Sequence, residues 1–217
     1  MASCGIAVAS WLVFGFGTPI LGLGLLFSFF GNARENARRS SCQSNLKQIA
    51  LGLRQYRQDF DQKLPLVSLH SAPPARLVTN SQWAEKWPAF GWADSLQPYQ
   101  KSVCIYQCPA ETNSPVAGPN GAGYIDYWFN ARLAGSRAFR AALITLGDGN
   151  GLGTARYAVK GLPANWRDAP REKSWNGTQS PWFERHKGGA NYAFADGHVK
   201  WLRPEDAAAP QLWKPNS

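Results

Sequence analysis

Ala7–Phe30 reads AVASWLVFGFGTPILGLGLLFSFF, and Gly31–Phe60 continues it as GNARENARRSSCQSNLKQIALGLRQYRQDF. No residue from 5 to 33 is charged. As a helix, the 24 residues of the first segment rise about 36 Å, enough to cross a hydrocarbon core of about 30 Å. We therefore predict a transmembrane helix over residues 1–31, which continues as an amphipathic helix over residues 32–64.

The apolar segment carries several glycines, among them Gly15, Gly22 and Gly24. Small residues allow membrane helices to approach one another closely, so these glycines predict a packing seam for a neighbouring helix. The neighbour would be another copy of this chain or a different membrane protein. The alternative is a lipid-facing anchor in which the glycines have no packing role.

Beyond the charged junction, apolar residues recur at intervals of three or four. They are Cys42, Leu46, Ile49, Leu53, Tyr56 and Phe60. This spacing places them on one face of a helix. We predict that this face packs against the rest of the chain; a coiled-coil seam is the alternative. Pro65 marks the predicted end of the helix.

Residues 65–217 have the composition of a loop-rich globular domain. The whole chain contains 10 Trp, 21 Gly, 15 Pro and only 1 Met, and its net charge is +9. This mixture favours an α+β or β domain over a helical bundle. The basic residues form no Lys/Arg block and no known nucleic-acid module, so we expect no nucleic-acid partner.

Local patterns divide this domain into short elements. A short helix is predicted near residues 92–99, and strands over Val103–Gln107, Tyr124–Phe129 and Ala141–Leu146. Glycine- and proline-rich stretches between them predict loops. We expect the strands to form an antiparallel sheet.

The clearest hairpin signal lies near the C-terminal end. Residues 191–195 and 198–202 alternate in polarity around Asp196-Gly197. An Asp-Gly pair between alternating segments predicts a tight turn, because glycine readily adopts a positive φ. With a two-residue turn, Tyr192 and Phe194 would share a face with Val199 and Trp201.

The cysteines leave several pairings open. Cys104 and Cys108 are too far apart in a straight strand to form a disulfide, so they could join only across a turn. Alternatively, one of them pairs with Cys42, or all remain free thiols. No zinc-like pair of CxxC units is present.

Asp148, His186 and His198 are the residues that a metal or acid–base site would use. Asp148 lies in the run LGDGNG, which matches a calcium loop only in part because the further spaced carboxylates are missing. No nucleophile elbow, phosphate loop or zinc-protease helix is present. We therefore expect no enzymatic activity, no cofactor and no metal, and interpret these three residues as structural.

Two segments together resemble a known family. Residues 33–56, ARENARRSSCQSNLKQIALGLRQY, and residues 185–202, RHKGGANYAFADGHVKWL, are similar to bacterial type IV pilin-like proteins of the pseudopilin-like group. In the second segment, His186 is followed after nine residues by Asp196 and Gly197. This spacing resembles the group's prepilin-type processing-associated signature. Residues 92–99 and 106–109 also look similar.

The resemblance implies a pilin-like fold, with a long N-terminal helix whose first half lies in the membrane and whose second half packs on an antiparallel sheet. It implies a single-pass protein of the bacterial inner membrane with its domain on the periplasmic or extracellular side. The positive charges of Arg34, Arg38, Arg39 and Lys47, which all follow the span, favour the opposite orientation.

The N-terminal segment departs from the family pattern. The family's cleavage site would fall near Ile6-Ala7 and its glutamate near Trp11, and neither feature is present. We thus expect a non-enzymatic structural subunit that assembles through its helix. The alternative is an accessory subunit of a larger membrane complex, recruited from the pilin-like family after loss of the prepilin cleavage site. A metal-dependent enzyme is a third, weaker hypothesis.

Overall fold

A computed structural model describes residues 18–68, 91–100, 102–111, 123–137, 140–162, 166 and 182–215, with the backbone alone for residues 18–30 and 151–152. The chain divides into two units, residues 1–38 and residues 39–217. The second unit contains all the strands that the structure describes. The described elements confirm a mixed α+β architecture with a long N-terminal helix.

The helices and strands follow one another along the chain in a simple order. They are helix α1 (Thr18–Asp59), helix α2 (Trp92–Ser95), strand β1 (Ile125–Asn130), strand β2 (Ile144–Gly153), strand β3 (Ala158–Val159), strand β4 (Ala190–Phe194), strand β5 (Val199–Leu202) and helix α3 (Pro204–Ala207). Short 3-10 helices lie between them, at Gln97–Tyr99, Val103–Tyr106, Ala131–Leu133, Trp182–Glu184 and Pro210–Leu212.

Among the described residues, none of the helices combines the length and the hydropathy needed to span a bilayer. Residues 1–17 of the predicted transmembrane segment lie outside the described part of the chain.

Helix α1 ends before the predicted boundary at residue 64. Asp61 and Gln62 both have positive φ, and the Gln62 amide donates to the carbonyl of Arg57. A left-handed residue just after a helix turns the chain back over its last carbonyls and stops the helix. Two left-handed residues, and not Pro65, therefore end α1 at Asp59.

The apolar stripe of α1 is buried as predicted. Cys42, Leu46, Ile49 and Leu53 are at most 3% exposed, and Tyr56 is half-buried against the same core. Phe60 lies just past the helix and stacks on the ring of Tyr56 at 4.3 Å. Burial of each leucine-sized side chain contributes about 2 kcal/mol. This stripe therefore packs α1 onto the sheet within residues 39–217.

The sheet has the strand order β3-β1-β2-β4-β5 and is mixed. The predicted all-antiparallel sheet is wrong, because β3 runs parallel to β1. After β2 the chain reverses through a tight turn in which the Tyr157 amide donates to the Thr154 carbonyl. Strand β3 then returns along the outer edge of β1, so it is antiparallel to β2 and parallel to β1.

Successive side chains of β1 point to opposite faces of the sheet and enter two different hydrophobic cores. Ile125, Tyr127 and Phe129 belong to the core that includes α1, whereas Trp128 belongs to a second core. That second core stacks Trp128 on Trp213 with ring centres 5.2 Å apart. The sheet is therefore covered on both faces, as the burial of every residue in β1 shows.

The hairpin predicted around Asp196-Gly197 is present, but its register differs. The Phe194 amide donates to His198 and the Gly197 amide to Phe194, so the loop contains three residues, Ala195 to Gly197. Asn191 consequently pairs with Trp201, and Ala193 with Val199. A shift of one residue moves each side chain of a strand to the opposite face.

Gly197 adopts φ +91°, the positive value that a three-residue loop requires at its last position. We expect Gly197→Val to lower the free energy of unfolding by about 1–3 kcal/mol, because a β-branched residue is strained there. Denaturant unfolding followed by tryptophan fluorescence would measure it. Gly197→Asn is the matched control and should cost less, since asparagine tolerates the left-handed region. Equal losses in both variants would contradict the turn geometry.

Candidate functional site

Five buried side chains meet where the second half of α1 packs against the sheet. This buried cluster consists of Cys42, Cys108, Asp148, His186 and Asn191, each at most 1% exposed. Cys42 comes from α1, Cys108 follows the 3-10 helix Val103–Tyr106, and the other three come from β2, the turn before β4, and β4. Polar groups at this depth are costly unless they are paired.

A disulfide joins Cys42 to Cys108, with their Cα atoms 5.2 Å apart. It is one of the pairings that the sequence left open. Cys104 is an exposed free thiol. The predicted strand over Val103–Gln107 is a 3-10 helix at Val103–Tyr106, and it places only Cys108 beside α1. The bond therefore links the helix covalently to the sheet domain.

His186 occupies the centre of the cluster. Its Nε2 atom lies 3.4 Å from Asp148 Oδ2 and 3.9 Å from Cys108 Sγ. Its backbone is held as well, because its amide donates to Gly189 and its carbonyl accepts from the indole of Trp201. The first residue of the family-like signature is thus fixed at both backbone and ring.

Asp148 lies within β2, although its glycine-rich surroundings resembled a loop in the sequence. Its Oδ2 atom accepts a hydrogen bond of 2.6 Å from the Asn191 amide. Burial raises the pKa of this carboxyl, and the neighbouring His186 opposes the rise. Within the described structure, Oδ1 is buried without a hydrogen-bond partner.

Polar side chains of α1 extend the cluster. Gln43 donates to the Asn191 side chain at 2.9 Å, and Asn45 donates to the Gln107 carbonyl at 2.9 Å. On the sheet side, the Cys108 amide donates to Asp126 at 2.6 Å. These bonds give the helix a defined rotation and register on the sheet, beyond what apolar packing would specify.

The other end of the family-like signature also contacts α1. Arg54 Nη1 donates to the Asp196 carbonyl at 3.0 Å, and the Asp196 carboxylate accepts from the His198 amide at 3.0 Å. Gly197 lies against the same arginine. His186, Asp196 and Gly197 therefore share one structural role, since the hairpin that they border lies along the helix.

The three sequence candidates for a metal or acid–base site do not converge. The structure brings Asp148 and His186 together, but His198 is half-exposed, stacks on Phe194 and contacts Asp196. Instead of His198, the buried cluster contains Cys42, Cys108 and Asn191. Alternation along β4 places Asn191 on the face opposite Tyr192 and Phe194, but no local signal showed that this face meets α1.

The predicted packing seam is described only in part. Gly22 and Gly24 lie within α1. Gly15, and the surroundings of Gly22 and Gly24, lie outside what the structure describes.

A second buried carboxyl gives the fold a pH dependence. Burial raises the pKa of Asp94 to about 6, against the opposing hydrogen bond from the Gly91 amide. The folded chain then keeps this proton up to about pH 6, whereas the unfolded chain loses it near 3.8. The stability contributed by the proton is complete below that lower pH and is lost as the pH rises through 6.

We therefore expect Asp94→Asn, which stays neutral at every pH, to raise the free energy of unfolding at pH 7.5 by roughly 1–3 kcal/mol. The gain should vanish near pH 4. Urea unfolding of both chains across this range would measure it. A gain of equal size at both pH values would show that desolvation of the charge is not its cause.

Taken together, the fold and the cluster define a class of protein: an α+β domain fastened to the back half of a long helix by a disulfide and buried polar bonds. The family model described as "Protein of unknown function (DUF1559)" matches residues 31–99, about a third of the chain. No curated protein and no solved structure matches the chain. The matched residues include the polar half of α1 and helix α2, whereas the His186–Gly197 signature lies beyond them.

Proposed function

We propose that this chain is a non-enzymatic, membrane-anchored, pilin-like structural protein that assembles through its N-terminal helix. One observation carries the proposal. Helix α1 runs without interruption from Thr18 to Asp59, so residues 18–30 of the apolar sequence and the disulfide-linked stripe belong to one element. A continuous helix with an apolar first part and a domain attached to its last part is suited to assembly through the helix.

The chemistry of the buried cluster supports a structural role over a catalytic one. Asp148 and His186 are both 0% exposed, so a substrate could not reach them without opening the core. Their contacts are with residues that hold α1 to the sheet. The cluster therefore stabilises the attachment of the helix.

The disulfide bears on the location of the domain. Disulfides persist in oxidising compartments such as the bacterial periplasm and are rare in the cytosol. The bond between Cys42 and Cys108 therefore favours the periplasmic or extracellular side of the inner membrane. The disulfide is stronger evidence for the orientation than the positive charges after the apolar run, because a covalent bond must survive where the domain resides.

Expression of the full chain in a bacterium, followed by fractionation, tests the anchor. We expect the protein in the membrane fraction, resistant to alkaline carbonate and released by detergent. Protease added to spheroplasts should digest the domain. Recovery in the soluble fraction, or protection of the domain from that protease, would overturn the proposed anchor or its orientation respectively.

The assembly surface can be tested at the glycines. We expect Gly22→Leu combined with Gly24→Leu to shift the detergent-extracted protein to a smaller particle, because bulky side chains prevent close approach of helices. Analytical ultracentrifugation would measure the shift. Gly31→Leu is the matched control, since open space surrounds a Cβ at that glycine of the same helix. An unchanged particle size in the double variant would contradict the seam.

The alternative, an accessory subunit of a larger membrane complex, is favoured by one residue. Trp11 stands where the resemblance expects a glutamate. The two functions differ in what accompanies the chain after gentle extraction. Particles that contain only this chain support the structural assembly, and a defined second polypeptide in fixed ratio supports the accessory subunit.

A further inference from the structure

The disulfide and His186 form a compact set of potential metal ligands. Cys42 Sγ, Cys108 Sγ and a ring nitrogen of His186 all lie within 4.8 Å of one another, and all three residues are buried. Two sulfurs and one imidazole form part of the donor sets that bind zinc in structural sites. In the disulfide form both sulfurs are already used, so any metal binding belongs to the reduced chain.

The distances around His186 are close to those of a tetrahedral zinc site. With Zn–N near 2.0–2.1 Å and Zn–S near 2.3 Å, neighbouring nitrogen and sulfur ligands lie about 3.6 Å apart. The observed distance from His186 Nε2 to Cys108 Sγ is 3.9 Å. The distance from Nε2 to Asp148 Oδ2 is 3.4 Å.

Asp148 lies next to this set without belonging to it, since among the described residues the ligand atoms within 4.8 Å of one another are those of Cys42, Cys108 and His186. Its carboxyl group is fully buried, and in the described part of the chain its Oδ1 atom has no hydrogen-bond partner. A buried carboxylate with an unsatisfied oxygen is destabilising unless a positive charge or a donor compensates it. Arg185 already acts to lower the pKa of this carboxyl, and a divalent ion held by His186 would add positive charge beside it.

We propose that the reduced chain binds one zinc ion through Cys42, Cys108 and His186, with Asp148 beside the ligating ring. This site goes beyond the proposed structural function. A dithiol reductant cleaves the S–S bond and delivers two electrons and two protons, and it is oxidised to its own disulfide. The two thiols then release those protons as they bind Zn²⁺ as thiolates. The helix is thereby held to the sheet by a metal when the covalent bond is absent.

Thiolate and imidazole ligands select zinc over magnesium or calcium, which prefer oxygen. Cobalt(II) is the probe, because tetrahedral thiolate–cobalt sites absorb visibly whereas zinc does not. The full chain in detergent is reduced with a phosphine, freed of reductant without air and titrated with Co²⁺. We expect one ion per chain, with thiolate charge-transfer and tetrahedral d–d absorption that Zn²⁺ then displaces.

Matched variants locate the ion. Reduced Cys104→Ser should bind as the wild type does, because Cys104 is exposed and lies outside the set of buried donors. Reduced Cys108→Ser and His186→Phe should each bind at least about tenfold more weakly. The air-oxidised wild type should show no thiolate–cobalt absorption.

Three results would overturn the proposal. The first is a reduced wild type that takes up no Co²⁺ at equimolar concentration. The second is the same spectrum in the oxidised chain or in Cys42→Ser/Cys108→Ser. The third applies if reduction unfolds the domain. In that case one equivalent of Co²⁺ should restore the native circular dichroism, and a chain that stays unfolded would overturn the proposal.

Discussion

Replacement of Cys42 and Cys108 by serine is expected to lower the free energy of unfolding by about 4 kcal/mol. The disulfide closes a loop with a sequence separation of 66 residues. A cross-link of this span removes conformational entropy from the unfolded chain worth about 4 kcal/mol at 25 °C. Such a loss is a large part of the stability of an ordinary domain, which is about 5–15 kcal/mol.

Equilibrium unfolding of the full chain in urea, under air and with a chelator present, would measure this loss. The chelator removes metal ions from the solution, so both chains unfold under the same conditions. Cys104→Ser is the matched control and should change the free energy by less than about 0.5 kcal/mol. A double variant as stable as that control would mean that the bond between α1 and the domain does not contribute to the folded state.

The second large effect concerns the pair at the centre of the buried cluster. We expect His186→Phe to cost about 3–5 kcal/mol, because it leaves the Asp148 carboxyl buried without the ring that faces it. The substitution keeps an aromatic ring of similar size but removes the Nε2 atom that lies 3.4 Å from Asp148 Oδ2. Thermal unfolding of the oxidised chain, with denaturant titration to obtain the free energy, would measure it.

A double-mutant cycle separates the pair from simple packing damage. When Asp148→Leu accompanies His186→Phe, the total cost should fall below the sum of the single costs by about 1–3 kcal/mol. His198→Phe is the control, because this histidine is half-exposed and should change the free energy by less than about 0.5 kcal/mol. Strictly additive costs would contradict the coupling.

Periodicity predicted the helical part of the structure well. The stripe from Cys42 to Leu53 is buried. Apolar residues repeated every three or four positions form one face of a helix, and packing that face against the domain removes it from water. The stop at Asp59 was not predictable from Pro65. Asp61 and Gln62 end the helix by adopting positive φ, and neither residue type signals this strongly.

The strands were predicted unevenly. The strand over Tyr124–Phe129 is confirmed almost residue for residue, as β1. The predicted strand over Val103–Gln107 is wrong, because its apolar residues belong to a 3-10 helix. That helix places Cys108 next to α1. Strand β2 extends through LGDGNG, whose glycines indicated a loop. Gly147 is needed there, since a Cβ would come within 2.3 Å of Trp128.

The buried cluster shows the limit of local patterns most clearly. Asp148, His186 and Cys42 were each singled out, but nothing in their spacing placed them together. The turn at Asp196-Gly197 sets the pairing of β5 with β4, whereas β4 itself is placed by its pairing with β2. That long-range pairing lets Asn191 receive a bond from Gln43 through its side chain and donate to Asp148 through its backbone amide.

The sequence by itself determined the elements whose causes are local: the amphipathic stripe of α1 and a hairpin at Asp196-Gly197. Tertiary structure decided the disulfide partner, the mixed sheet and the meeting of His186 with Asp148. These depend on contacts between residues far apart in the chain, such as the separation of 66 residues between the bonded cysteines. Local propensity carries no information about such distances, because only the packing of whole elements brings the two ends together.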